Sequence, residues 1–332
     1  MRTLKWSTVV AVVLGFALTG SVQAQFTKVG QAGATFLKIE TGARANAMGG
    51  AQVAAVRDAS ALYWNPAGIG FLAKTSVHFS HNEWIGGLQH NFFAVAVPMP
   101  GVGAVGVALT SMLYGDMDVT TVEQPDGTGE TFGASDFALT LAFARQMTDN
   151  FTVGIAVKYV RQKIWDMTAS GLAWDIGTDF RTPFRGLHFG ASITNFGQNL
   201  VFRGQQLLIK QKEYTNITTV AMYQAESFQL PLQFKLGVAY DALQSDVNSL
   251  VLCVDGVHPN DNLEYVNLGA EYGWNDMVFL RAGYKLNTDI QGLSFGGGLN
   301  FNAGGVEASL DYAYSKMMYF DNVQRFSIGF MF

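Results

Sequence analysis

Residues 276–286 read DMVFLRAGYKL, and the alternation within them decides the fold. Successive side chains of an extended strand point to opposite sides. Val278, Leu280, Ala282, Tyr284 and Leu286 therefore share one face, and Arg281, Gly283 and Lys285 take the other. A strand of a soluble sandwich turns its apolar face to a core and its charged face to water. Here the apolar face is rich in aromatics, and the opposite face is small with scattered charge. That pairing suits a wall with lipid on one side and a crowded polar lumen on the other.

The same period runs through the chain. Phe234, Leu236, Val238 and Tyr240 oppose Lys235, Gly237, Ala239 and Asp241. Phe151, Val153, Ile155, Val157 and Tyr159 alternate with Thr152, Gly154, Ala156 and Lys158, and Trp174, Ile176 and Phe180 with Asp175, Gly177, Asp179 and Arg181. Strands are expected at 75–84, 89–98, 101–114, 134–146, 150–163, 171–181, 185–195, 229–241, 246–258, 263–273, 276–286, 292–302, 304–315 and 323–332. The class read from this is all-β: a transmembrane antiparallel β-barrel of about fourteen strands, an even number as expected of bacterial single-chain barrels. The two longest gaps, 115–133 and 196–228, both follow odd-numbered strands and so share one rim. Tight turns at Pro98–Gly101, Met147–Asp149, Thr182–Arg185, Gly273–Asp276 and Asn302–Gly304 share the other. Long outer loops and short periplasmic turns are the outer-membrane arrangement.

Composition agrees. Charged residues make up 14% of the 332-residue chain, against roughly 25% in soluble proteins. No apolar run after residue 24 is long enough for a membrane helix, so closed strands must satisfy the backbone in lipid. The net charge of -5 offers no basic excess, and no nucleic-acid partner is expected. Cys253 is the single cysteine, which excludes an intrachain disulfide.

Both ends carry export features. Arg2 and Lys5, the apolar stretch from Ser7 to Leu18, and Val22-Gln23-Ala24 read as a signal peptide cleaved after Ala24. The last strand ends with Phe326, Ile328, Phe330 and Phe332 on one face. Phe326, Phe330 and Phe332 resemble the signal recognised by barrel-assembly machinery. Expected partners thus include that machinery and outer-membrane lipid, with the bacterial outer membrane as the location.

Residues 25–74 show no strand pattern. Gly42, Gly49 and Gly50 mark a turning chain. Asp58 can cap a short helix through Tyr63 or Trp64, which Pro66 stops. The segment is read as an N-terminal hatch or plug in the lumen, the alternative being a periplasmic extension. The expected organisation is 1–24 signal peptide, 25–74 hatch and 75–332 barrel.

Gly42-Ala-Arg-Ala-Asn-Ala-Met-Gly-Gly50 followed by Asp58-Ala-Ser-Ala-Leu-Tyr-Trp-Asn-Pro-Ala-Gly68 resembles the N-terminal signature of the PorV/PorQ family, within the wider FadL-like barrels. The resemblance implies a fourteen-stranded barrel with an N-terminal hatch. For PorV-like members it implies type IX secretion, with secretion components or secreted cargo as partners. For FadL-like members it implies passive passage of a hydrophobic small molecule. Arg44, Gly49, Gly50, Asp58, Asn65, Pro66 and Gly68 are the candidate hatch residues. Pro66 would fix the backbone, Gly68 would permit a tight turn, and Asn65 would hydrogen-bond hatch to wall.

Other motifs are set aside. Gly101, Gly103 and Gly106 match a dinucleotide-binding spacing, but a strand follows where a helix is needed. Ser294 between Gly292 and Gly296 matches a nucleophile elbow but lies within a strand. His78 and His81 fall on opposite strand faces. Asp116, Asp118, Glu123, Asp126 and Glu130 read as a solvated acidic loop, with a surface calcium site as the alternative. No catalytic residue, metal or cofactor is assigned, and no enzyme is expected.

Overall fold

The computed structural model describes residues 29–332 except 185 and 213–217. The expected signal peptide lies outside the described residues. Fourteen strands close into one antiparallel barrel. They are β1 (Ser76–Glu83), β2 (Gln89–Met99), β3 (Gly103–Asp118), β4 (Thr131–Thr148), β5 (Phe151–Ile164), β6 (Met167–Arg181), β7 (Leu187–Gly197), β10 (Gln233–Gln244), β11 (Asn248–Pro259), β12 (Tyr265–Trp274), β13 (Val278–Leu286), β14 (Gln291–Ala303), β15 (Val306–Met317) and β16 (Val323–Met331). Each expected strand is present. β3 and β4 run further than their apolar alternation suggested, so the first long loop shortens to 119–130. The second, 198–232, holds a feature not expected: β8 (Leu208–Lys212) and β9 (Thr218–Met222) pair as a separate hairpin.

β1 closes the barrel on β16, from Ser76 opposite Met331 to Glu83 opposite Gln324. Thr75 and Phe332 exchange both backbone hydrogen bonds at 3.0 Å just beyond them. The rim holding these ends, with its short turns, is the terminal rim; the opposite one is the loop rim.

The alternation sorts as expected. On β13, Leu280, Ala282, Tyr284 and Leu286 are exposed, while Arg281, Gly283 and Lys285 are buried. Phe326, Phe330 and Phe332 all point outward. The lipid-facing surface is the apolar one, as a barrel in a bilayer requires.

The lumen is filled by chain. Gly30 donates to the Asp261 carbonyl at the loop rim. Leu72 and Ala73 border the β2–β3 turn at the terminal rim. In between lie a 3-10 turn at Thr35–Lys38, helix α1 (Ala43–Ala47), helix α2 (Ala61–Trp64) and a second 3-10 turn at Pro66–Phe71. Local chemistry explains the breaks. Gly42, Gly49 and Gly50 have φ of 81°, 65° and 82°, where glycine alone is at ease. The Asp58 carboxylate accepts from the Ser60 amide one residue ahead of α2, so it turns the chain before the helix and does not cap it. Asn65 is extended, as a residue before proline prefers, and Pro66 then opens the second 3-10 turn, so it starts an element as well as ending one. The core is therefore the layer between this segment and the wall. Leu62, Tyr63, Trp64 and Ile69 pack on Phe92, Ala104 and Ala144 in one cluster, and Phe36 and Leu37 on Met112, Leu200 and Leu230 in another.

Candidate functional site: the lumenal seat and the loop rim

The inner wall carries glycines in facing pairs. Gly154 lies opposite Gly177 across β5 and β6, Gly190 opposite Gly237 across β7 and β10, and Gly269 opposite Gly283 across β12 and β13. Each pair lies beneath a stretch of the N-terminal segment. A Cβ on Gly177 would stand 2.0 Å from Asn65 Oδ1, and one on Gly154 2.4 Å from the Ala67 nitrogen. A Cβ on Gly190 would meet the Val53 carbonyl at 2.4 Å. On Gly283 it would meet the Gly49 nitrogen at 2.0 Å, and on Gly269 the Met48 carbonyl at 2.6 Å. No side chain fits there, because interiors are already close-packed. The segment's main chain rests on bare wall backbone.

Polar contacts surround these seats. Asn65 Nδ2 donates to the Val53 carbonyl at 2.8 Å and to the Thr178 carbonyl on β6 at 3.0 Å, while its Oδ1 accepts from the Ala67 amide. The expected link from segment to wall through Asn65 is thus present in the geometry. Asp255 on β11 accepts from the Gln52 and Val53 amides at 2.7 and 2.9 Å. Arg44 grips Glu271 on β12 with two bonds of 2.8 Å. Glu271 also takes Arg281, which in turn reaches Asp311 on β15. Arg57 pairs with Asp179, Glu40 with Lys285, and Lys38 with Asp261. A buried charge is tolerable only when paired and hydrogen-bonded, and here the pairs join segment to wall.

Gly68 lies within the 3-10 turn at Pro66–Phe71, its amide donating to the Asn65 carbonyl at 2.9 Å. It is absent from the positive-φ residues. A Cβ there would meet Ala61 Cβ and the Val56 carbonyl at 2.9 Å, so the position demands smallness rather than a left-handed turn. Gly106 and Gly296, from the two motifs set aside, face Leu62 and Ala47 of the segment in the same way. The sequence places Asp179 and Lys285 on the inward face but not as partners of the segment, and does not single out Glu271 or Asp255. Their one visible signal was a charge on the inward face of an otherwise apolar strand.

What space remains is small inside and large outside. Between segment and wall, a gap of about 50 Å³ lies beside Asp58, Ser76 and Asn300, and two of about 10 Å³ each lie beside Tyr63, Phe92 and Lys158 and beside Glu40, Trp64 and Lys235. The two smaller ones have room for about one water apiece. A cleft of about 340 Å³ opens at the terminal rim around Leu72, Val102 and Arg145. A wider cleft, about 1090 Å³, opens in the 198–232 loop, lined by Phe202, Arg203, Leu207, Met222 and Tyr223 among others. The root of this loop is anchored inward. Leu200 and Phe228 exchange backbone bonds of 2.9 Å, Phe228 packs over Gly33, and Asn195 holds the Pro231 carbonyl at 3.1 Å. The two faces of the loop differ: its root is part of the plug, while Met222 and Tyr223 are more than 60% exposed.

The class is a closed fourteen-stranded antiparallel β-barrel with its own N-terminal chain packed through the lumen. Structural comparison agrees. The chain resembles the toluene transporter TbuX of Ralstonia pickettii (TM-score 0.56, 14% identity, 87% of this chain and 97% of that one). It resembles a FadL homologue of Pseudomonas aeruginosa (0.56, 12%, 88% and 98%) and the toluene transporter TodX of Pseudomonas putida (0.55, 12%, 87% and 96%). At these identities the likeness is one of fold. No curated protein matches the chain in sequence. The family model described as Type IX secretion system protein PorV matches residues 22–257. The chain belongs to the PorV family.

Proposed function

We propose that this barrel serves protein secretion or surface export by binding a protein partner at its loop rim, with the N-terminal segment acting as a hatch that stays seated. The observation that carries this reading is the contrast in space: gaps of about 10 to 50 Å³ between segment and wall beneath an open cleft of about 1090 Å³. Membership of the PorV family supports the type IX assignment. In this reading the terminal rim faces the periplasm and the loop rim faces outward. Arg44, Gly49, Gly50, Asp58, Asn65, Pro66 and Gly68 hold the hatch, and Phe326, Phe330 and Phe332 serve assembly. Exposed aromatics and methionine in a cleft are what a protein-binding surface offers. Passage of hydrophobic small molecules, the competing reading, would require the segment to leave its glycine seats.

The test is a double substitution, Met222→Asp with Tyr223→Asp, in cells that export proteins through type IX machinery. The expected result is normal barrel assembly with exported proteins lost from the surface or trapped in the periplasm. Unchanged export, with the variant barrel present at normal level, would overturn the proposal.

A further inference from the structure

The outward surface of β5 breaks the apolar rule at one end. Phe151, Val153, Ile155, Val157 and Tyr159 face lipid in succession from the terminal rim, and Arg161 and Lys163 continue the same face. The apolar band of such a barrel is about 25 Å tall, and a tilted strand crosses it in about ten residues. Counted from Phe151, that crossing ends near Arg161. The two cations therefore stand at headgroup height on the loop-rim side, about 7 Å apart along the strand.

Their neighbours are suited to the same ligand. Across the ladder, Arg161 lies opposite Ser170, and Lys163 lies between Ser135 and Thr168. Both cations are exposed, and neither makes an ion pair among the described residues. The exposed Asp166 in the β5–β6 turn is the nearest acid in sequence. Arg203 joins from the long loop, bridging its backbone to Thr168 at 2.8 and 2.9 Å. Elsewhere near the loop rim, Glu83 and Lys316 stand singly, His258 is paired with Glu264, and the clustered charges Asp116, Asp118 and Glu130 at the extension of β3 and β4 are acidic.

We infer that Arg161 and Lys163, flanked by Ser135, Thr168 and Ser170, form a site for the phosphate groups of an outer-leaflet glycolipid. Cations and hydroxyls supply charge-assisted donors to phosphate oxygens, and the apolar face from Tyr159 downward accepts the acyl chains. That continuity with the lipid-facing wall selects a membrane lipid over a free anion. The site borders the loop cleft at Arg203 but uses neither Met222 nor Tyr223, on which the partner reading is tested.

The test uses the purified full-length protein in detergent with two probes, a hexa-acylated lipid A bearing two phosphates and the same lipid dephosphorylated, read by native mass spectrometry. The phosphorylated lipid should be retained about tenfold more. Arg161→Gln with Lys163→Gln should abolish that preference, and Arg145→Gln with Lys316→Gln should keep it. Comparison of the two lipids on the unaltered protein needs no variant to fold. Equal retention of both lipids, or an unchanged preference in the Arg161/Lys163 variant, would overturn the inference. So would displacement of the lipid by inorganic phosphate at low millimolar concentration, which would mark a site for the free anion.

Discussion

The amide nitrogen of Gly49 occupies the space where Gly283 would carry a side chain, 2.0 Å from the position of its absent Cβ. A methyl group at Gly283 therefore has to lift the segment off the wall, since backbone on both sides cannot yield cheaply. Overpacking of this kind costs about 1–3 kcal/mol or more. Gly283→Ala should raise amide exchange across residues 43–52, measured by hydrogen exchange with mass spectrometry. Gly256→Ala adds the same methyl where nothing lies within 4 Å and should leave the exchange pattern unchanged.

Asn65 uses both ends of its amide, two donors to carbonyls and one acceptor for an amide. Asn65→Asp keeps the shape but turns an oxygen toward the Val53 and Thr178 carbonyls. It should loosen residues 61–72 more than Asn65→Ala does. Each orphaned buried group costs about 1–3 kcal/mol, and the aspartate adds repulsion. Exchange protection of the Ala67 and Gly68 amides reports the order of the two variants.

Glu271 is shared between Arg44 and Arg281. Glu271→Ala leaves Arg44 without an ion pair and Arg281 with Asp311 alone, whereas Arg44→Ala leaves Glu271 with a partner. The glutamate variant should fall further in stability, by about 3–5 kcal/mol for a broken buried pair, with the partly exposed Arg44 costing less. The temperature at which the heat-modifiable band converts on a gel ranks them. Arg44→Lys should fail to restore the wild-type value, because an ammonium cannot make the two-pronged contact.

Gly33 and Phe228 couple the long loop to the segment: a Cβ on Gly33 would enter the Phe228 ring, 2.0 Å from Cδ2. Gly33→Ala should expose the Leu200 and Phe228 amides to exchange. In a Phe228→Ala background the same substitution should have a much smaller effect, since the ring is gone. Equal effects in both backgrounds would deny the contact.

A lumen this full should not conduct. In planar bilayers the protein should show no steady open level of porin size. A stable open state would mean that the segment leaves its seats under ordinary conditions.

Much of this was legible in the sequence because strand pairing in a barrel writes itself in a period of two. Val278 to Leu286 and Phe151 to Tyr159 declared their faces, and the terminal aromatics did the same for the last strand. The hairpin of β8 and β9 was not read, since residues 208–222 sit in a long loop with only two five-residue strands. The motif around Asn65 pointed to the segment, but its partners did not announce themselves. Thr178 lies 113 residues away and Glu271 227 from Arg44, and no local pattern links residues so distant. The wall glycines looked like ordinary small residues of a strand. Only the register, which sets Gly154 against Gly177 and Gly269 against Gly283, reveals them as seats.

The most direct test of partner docking at the loop rim is photo-crosslinking in living cells from two positions, Tyr223 in the loop cleft and Val102 beside the terminal-rim cleft. Secretion components or exported proteins should become joined to the barrel from position 223, with no exported protein captured from position 102. Capture from position 102 alone, or none from position 223 while export proceeds, would contradict docking at the loop rim.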